Sequence, residues 1–321
     1  MRSPSGAGAV PFVGGDRLRE LVPVAAAVDA LEGALRGAGG FPAVPLPDTP
    51  PRSAVRAAGG DLLLMPAVSP RYAGVKLVSV APGNPGHGLP RVQGVYVLFD
   101  AATLTPVLLV DGVALTSLRT PALSAVAVRA LAPPGPVRLV VVGTGPQAQG
   151  HVEAVGAVRD LAHVTLAGRD GDRARDLARR LGVGCPVDVL VGTAPFDELG
   201  SVVAQADVVV CATTARTPVL RSPWVRDGAV VVAVGSHEPG ARELPGELLA
   251  RSTVVVESRD AAFREAGDVV LAVAEGRVDP ADVRELAEVV AGGVVAGPGP
   301  WVFKSVGEAW QDLVVASLLP G

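Results

Sequence analysis

Three features of this chain combine residue types and spacings that can do chemistry. The apolar run Val137–Val142 (VRLVVV) leads directly into Gly143-Thr144-Gly145-Pro146-Gln147-Ala148. A strand, a Gly-x-Gly-x-x-Ala turn and a helix together let backbone approach a pyrophosphate. The glycines allow close contact, the small Ala148 lets the helix pack on the strand, and the helix N-terminus faces the negative charge. With this context on both sides a dinucleotide site is the stronger reading; the plain alternative is a glycine turn that only packs a helix on a strand. The next expected strand ends at Gly168-Arg169-Asp170. An acidic residue here would meet the ribose of NAD, whereas an Arg offers a planar fork to the extra phosphate of NADP. Gly168 stands where the acid would be and Arg169 follows, which favours NADP(H) over NAD(H). A slip of a residue or two would bring Asp170 there instead. Three basic residues complete the inventory. Lys76, inside the apolar GVKLVSV, lies either at an exposed edge or in a site. Arg119, expected near the start of an Ala-rich helix where acids are usual, suits an anionic partner. Arg52 follows nearby prolines in an expected loop, where a surface charge is the default.

The elements that must position these groups fall into two rhythms. Pro23 opens a helix with Val24, Val28, Leu31 and Leu35 on one face, ended by Gly37. A Pro/Gly-rich connection, Gly39–Pro51, follows. Strands are expected at Asp61–Met65, Gly74–Val80, Gly94–Phe99 and Val107–Val110, with the loop Ala81–Pro90 between them. Short connections suggest an antiparallel or mixed sheet, closed by a helix over Ser117–Leu131. Ala132–Pro136 (APPGP) is the clearest domain boundary. From Val137 strands alternate with helices, with strands expected at Val137–Val142, His163–Ala167, Asp207–Ala212, Ala229–Gly235 and Thr253–Glu257. That is the pattern of a doubly wound parallel sheet with its ligand crevice at the carboxyl ends of the strands. Trp301–Leu319 reads as a short extended piece and a helix.

Composition narrows the function. With 321 residues and 49% hydrophobic content the chain can build two domains and a large core. A net charge of −4 argues against nucleic acid as the main partner. Cys185 and Cys211 are the only cysteines, so no disulfide framework is available and a reducing, cytoplasmic setting fits. Neither has metal-ligand spacing and the four histidines are scattered, so no metal is expected. Met1–Gly15 reads as a loose arm or first strand rather than a signal peptide, and no apolar run is long enough for a membrane span.

Taken together these segments resemble the ornithine cyclodeaminase/mu-crystallin family. The matching stretches run in family order: Lys76–Val80, Gly83–Pro90, Thr116–Ala122 (TSLRTPA), Gly143–Ala148, Asp207–Thr213, Ala233–Ser236 with Arg242-Glu243-Leu244, and Val302–Gly307 (VFKSVG). The resemblance implies an α/β protein with a Rossmann-type doubly wound parallel sheet (residues 132–300). A mixed α+β domain (1–131 with 301–321) would bind substrate and form a homodimer. It also implies action on amino acids or their imines with a nicotinamide coenzyme. By the same resemblance the substrate carboxylate lies near Arg52, Lys76, Arg119 and Val306. Gln147, Thr213, Val234, Gly235, Ser236 and Ser305 fall in the coenzyme and substrate crevice with Gly143–Ala148, Gly168 and Arg169. Arg91 and Arg119 fall near the coenzyme.

Two departures matter. Ornithine cyclodeaminases carry an Asp after the Ala-Val-Gly strand, where this chain has His237, and a Lys shortly beyond, where it has Ala241. Loss of that carboxylate argues against a full cycle of oxidation, ring closure and hydride return. Lys76 or His237 could instead supply a proton for simple imine reduction; His237 could equally only line the crevice. The leading expectation is therefore an NAD(P)H-dependent reductase of a ketimine such as Δ1-pyrroline-2-carboxylate or Δ1-piperideine-2-carboxylate. An amino-acid or opine-type dehydrogenase, an ornithine or lysine cyclodeaminase, and a non-catalytic coenzyme-binding protein are the alternatives.

Overall fold

In the front third, apolar residues recur with a period of two and build a sheet with one buried face. The computed structural model describes residues 9–37, 50–181, 184–192, 197–295 and 297–320; the expected arm Met1–Gly15 and connection Gly39–Pro51 lie largely outside these. The strands are β1 (Phe12–Val13), β2 (Ser53–Ala57), β3 (Gly60–Val68), β4 (Tyr72–Val80), β5 (Val92–Asp100) and β6 (Pro106–Asp111), in the order β1-β6-β5-β4-β3-β2. Neighbours are antiparallel except β1, which runs parallel to β6. Met65, Lys76, Tyr96 and Val110 stand in one row across four strands, all on the buried face. Lys76 is therefore an interior residue, not an edge charge. The helices Gly112–Leu131 and Ala309–Ala316 pack on this face, with Val24–Leu35 against both of them.

The second sheet is parallel throughout. Its strands are β7 (Val137–Val142), β8 (Leu161–Gly168), β9 (Val187–Val191), β10 (Val208–Cys211), β11 (Val230–Ala233), β12 (Thr253–Val256), β13 (Arg284–Glu285) and β14 (Trp301–Lys304). They lie in the order β9-β8-β7-β10-β11-β14-β12-β13. Cover on both faces explains the unbroken valine runs of β7, β10 and β11. The order reverses between β7 and β10, where a doubly wound sheet opens its crevice.

Three elements differ from the sequence reading. The helix expected at Ser117 begins at Gly112, where the Asp111 carboxylate caps it by accepting from the Val113 and Ala114 amides. Arg119 thus lies two turns inside, and the dipole argument for an anionic partner does not hold. The extended piece at Trp301, grouped above with the front domain, is β14 and hydrogen-bonds between β11 and β12. Only the helix Ala309–Ala316 returns to the first sheet. The edge strands β2, β9 and β13 were not read from the sequence, because an edge needs little apolar alternation; all five residues of β2 are exposed.

One buried imidazole ties the helix after the glycine turn to the helix packed on the six-stranded sheet. His151, on the helix Pro146–Gly156 that follows the glycine turn, lies between the Gln147 carbonyl (2.7 Å from Nδ1) and the Ser124 hydroxyl (2.9 Å from Nε2) on the helix Gly112–Leu131. Nδ1 donates to the carbonyl and Nε2 accepts from the hydroxyl. Burial pushes its pKa down to about 4, against a weaker upward pull from the Gln147 carbonyl. The unfolded chain takes up a proton near the ordinary value of 6.5 while the folded one stays neutral, so stability is full above 6.5 and is lost as pH falls towards about 4. The loss is on the order of 3 kcal/mol. Urea unfolding of His151→Phe should therefore show a flatter acid limb between these pH values; an unchanged limb would show that His151 does not carry it.

Candidate active site

The glycine turn builds the wall of a crevice of about 510 Å³ at the carboxyl ends of the parallel strands. Gly143 (φ +134°) closes on β10 so tightly that a Cβ would lie 2.4 Å from the Ala212 carbonyl oxygen. Gly145 caps the helix Pro146–Gly156, and a Cβ there would meet nothing within 4 Å. That open space above a helix N-terminus fits a pyrophosphate. Thr144, Gly168, Arg169 and Thr213 also line the crevice. Pro146 and Ala148 build the start of the helix rather than the wall. The Gln147 side chain leaves a buried Oε1 without a partner. Arg169 is exposed at the end of β8. Asp170 beside it also lines the crevice, and its carboxylate caps the helix Gly171–Arg180 by accepting from the Asp172 and Arg173 amides.

The front domain brings its cations to one buried carboxylate. Asp312, on the helix Ala309–Ala316, accepts from Lys76 Nζ (2.8 Å) and Arg119 Nε (3.3 Å). Lys76 also donates to Thr116 Oγ1 (3.2 Å), and Arg119 Nη1 donates to Gln311 Oε1 (2.7 Å). All but Thr116 are buried. Burial pulls the Lys76 pKa down to about 8; the Asp312 charge opposes this, and the Arg119 and Arg52 charges add to it. Two of the three ammonium N–H groups are committed to Asp312 and Thr116, which leaves one for a substrate.

These cations meet the carboxyl edge of the parallel sheet at Gly307. The Glu257 carboxylate, at the end of β12, accepts from the Val306 and Gly307 amides (2.8 and 2.6 Å), the Ser305 hydroxyl (2.8 Å) and the Gln311 amide (2.6 Å). Gly307 has φ +81°, and a Cβ there would lie 2.5 Å from Arg119 Nη1. Arg52 reaches the same turn: Nη2 donates to the carbonyls of Val306 (3.0 Å) and Gly307 (2.7 Å), and Nε pairs with Glu265 at 2.8 Å. The default reading of Arg52 as a surface charge is therefore wrong. Gln311, Asp312, Glu257 and Glu265 escaped the sequence reading. Their signal was an acid or amide inside an apolar run, as in TVVVE and AWQDLVVA.

Behind β10 and β11 a second buried carboxylate, Glu243, accepts from the Thr213 amide (2.8 Å), the Thr213 hydroxyl (2.7 Å) and the Gly235 amide (2.7 Å). The Thr213 hydroxyl is thus spent inside the protein. Val234 is half-buried, and the Ser236 hydroxyl bonds the Ala241 carbonyl. His237 is exposed. Its pKa is lowered by the surrounding protein first, then by the Arg52 charge; Glu238 opposes and Lys304 adds. Arg91 is exposed and outside the crevice wall, its charge felt by Glu238. Both cysteines are free thiols. Among the described residues no helix is long and apolar enough to cross a membrane, and no group of His, Cys, Asp and Glu could hold a metal ion.

Comparison with known proteins bears on the fold and the family. A Δ1-pyrroline-2-carboxylate reductase of Bacillus cereus is 37% identical over 266 residues, covering 80% of each chain. The structure of Thermococcus litoralis Δ1-pyrroline-2-carboxylate reductase in complex with NADH and L-proline matches with a TM-score of 0.83 at 28% identity, covering 96% of this chain and 95% of that one. An archaeal alanine dehydrogenase dimer with bound NAD matches with a TM-score of 0.83 at 29% identity, covering 96% and 94%. The family model described as ornithine cyclodeaminase/mu-crystallin spans residues 16–319, and the chain belongs to that family.

Proposed function

We propose that the protein is an NAD(P)H-dependent reductase of a cyclic ketimine carboxylate, of the Δ1-pyrroline-2-carboxylate or Δ1-piperideine-2-carboxylate type, giving the L-amino acid. The observation that carries this reading is the meeting of the Lys76–Asp312–Arg119 cluster with the carboxyl edge of the parallel sheet at Gly307. A reduced nicotinamide, when bound, supplies the hydride for the imine carbon. Arg119 and Arg52 each keep one Nη, Nη2 and Nη1, with no recorded partner among the described residues, and together they fit a planar carboxylate. Lys76 gives its third proton to the imine nitrogen, which takes up the C=N π pair. One hydride and one proton thus reduce one C=N bond. Lys76 rather than His237 is assigned as the donor, because desolvation by the surrounding protein first, and then the Arg52 charge, disfavour a charged imidazole at His237.

Arg169 supports a preference for NADP(H): it is exposed at the crevice, and the Asp170 carboxylate on the same wall is engaged by the Asp172 and Arg173 amides. The two structural neighbours carry NADH and NAD, so the preference rests on this residue. We also infer a homodimer through the uncovered face of the six-stranded sheet. Leu64, Leu77 and Val95 form one outward apolar row, and Pro66, Val75, Val97, Leu109 and Phe12 form the next. None of these residues is buried, and contiguous apolar surface of this kind marks an interface.

Three measurements test these points. NADPH should be oxidised by Δ1-pyrroline-2-carboxylate or Δ1-piperideine-2-carboxylate, with kcat/KM falling above a pH of about 8 as Lys76 loses its proton. In Lys76→Met kcat should drop about 100- to 1000-fold and the alkaline limb should vanish. Failure of the wild type to oxidise NADPH with any cyclic imino acid rejects the function. Arg169→Asp should move the NADPH/NADH ratio of kcat/KM by about tenfold or more towards NADH; an unchanged ratio removes Arg169 from the coenzyme site. Light scattering should give twice the 32.4 kDa chain mass, and Leu77→Arg should give the single chain. A wild-type monomer refutes the interface.

A further inference from the structure

Lysine occurs only twice in the 321 residues, against 26 arginines. Both lysines are buried, and each is paired with a buried aspartate: Lys76 with Asp312, and Lys304 with Asp268 at 3.1 Å. Arg serves at every other strongly basic position, so lysine is set apart at these two. Arg brings five N–H donors in a rigid plane, whereas the recorded partners of Lys304 are one carbonyl and one carboxylate oxygen. Lys76 has a role in the reaction proposed above; Lys304 has none.

Lys304 ends β14, beside Ala233 of β11 and Val256 of β12. Its Nζ donates to the Ser236 carbonyl at 2.6 Å. Asp268 Oδ2 makes an ion pair without hydrogen-bond alignment, so Asp268 neutralises the ammonium while the directed bond goes to Ser236. Asp268 Oδ1 accepts from the amides of Glu243 (2.7 Å) and Leu244 (2.8 Å). Glu243 in turn holds Thr213 and Gly235, and burial pushes its carboxyl up against the pull of the Lys304 charge. A Cβ on Gly235 would lie 2.0 Å from the Thr213 carbonyl oxygen and 2.6 Å from Glu243 Oε1. One buried relay therefore fixes the backbone at the ends of β10 and β11 from beneath, at the edge where the sheet meets Arg52 and Arg119.

We propose that Lys304 is a positioning residue for the reacting end of the coenzyme: with Asp268 and Glu243 it sets the Thr213 and Gly235–Ser236 backbone that forms the bed of the nicotinamide ring. The proposal rests on the nicotinamide reading above. It separates two duties along one crevice. Affinity comes from the glycine turn and Arg169, and ring placement comes from the relay, so loss of Lys304 acts on kcat far more than on coenzyme binding. A displacement of about 1 Å at this bed costs on the order of 100-fold in rate.

The test compares wild type with Lys304→Met, Lys304→Arg, Glu243→Gln and the charge-neutral pair Lys304→Met with Asp268→Asn. It reads the emission of reduced nicotinamide during NADPH titration, thermal midpoints, and kcat against coenzyme KM. Lys304→Met and Lys304→Arg should bind NADPH within about threefold of wild type, lose the change in emission that a held ring shows, and lose about 100-fold in kcat. The neutral pair should regain the thermal midpoint but neither emission nor kcat. Glu243→Gln, which keeps the size but turns a donor towards the Gly235 amide or the Thr213 donors, should show the same signature and carries the test if Lys304→Met does not fold. Wild-type emission and kcat in the neutral pair or in Glu243→Gln would overturn the proposal, leaving an ion pair that serves stability alone. If wild type binds NADPH but reduces no imino acid, the functional reading fails while the emission comparison still decides the role of Lys304. Absence of NADPH binding by wild type overturns both.

Discussion

A carboxylate without access to water sets the terms for the substrate end of this protein. Asp312 neutralises Lys76 and Arg119 at once, and without it both charges would stand uncompensated in that interior. A buried ion pair adds little net stability, because desolvation offsets most of the attraction. Its value here is geometric. It holds two cations in fixed directions and leaves Lys76 one N–H group and Arg119 its Nη2 group uncommitted. Glu257 does the matching task on the other domain, gathering the Ser305–Gly307 turn so that Arg119 and Arg52 can close on either side of it.

Much of the architecture could be read from residue patterns. The strand Val137–Val142, the glycine turn and the valine strands that follow rest on local rules, and local rules hold where both faces of a sheet are covered. What escaped depends on tertiary context. β2 has five exposed residues, and its place is decided by pairing with β3 rather than by any apolar rhythm. β14 reads as a short extended piece, and only its neighbours reveal a central strand.

At the site the division is similar. Lys76 drew attention as a cation in an apolar strand and Arg119 as a cation at an expected helix start, and the structure brings them together on Asp312. The acids that answer them did not, since Asp312 lies 236 residues from Lys76 and no local pattern joins them. Thr213 lines the crevice, yet its hydroxyl is committed to Glu243, a detail that only the fold supplies. The helix around Arg119 starts five residues earlier than its Ala-rich composition suggested, because the Asp111 cap at its head precedes the alanines.

The path of the chain from Trp301 to Ala316 has a bearing on biogenesis. β14 fills a slot between two strands laid down earlier, and eight residues of helix then cross to roof the opposite sheet. On a ribosome, neither hydrophobic core can shut until this stretch has emerged, so both lobes must wait with open seams and then seal almost together. From the completion of β12 until this stretch emerges, the nascent chain carries the facing valine edges of β11 and β12 unpaired.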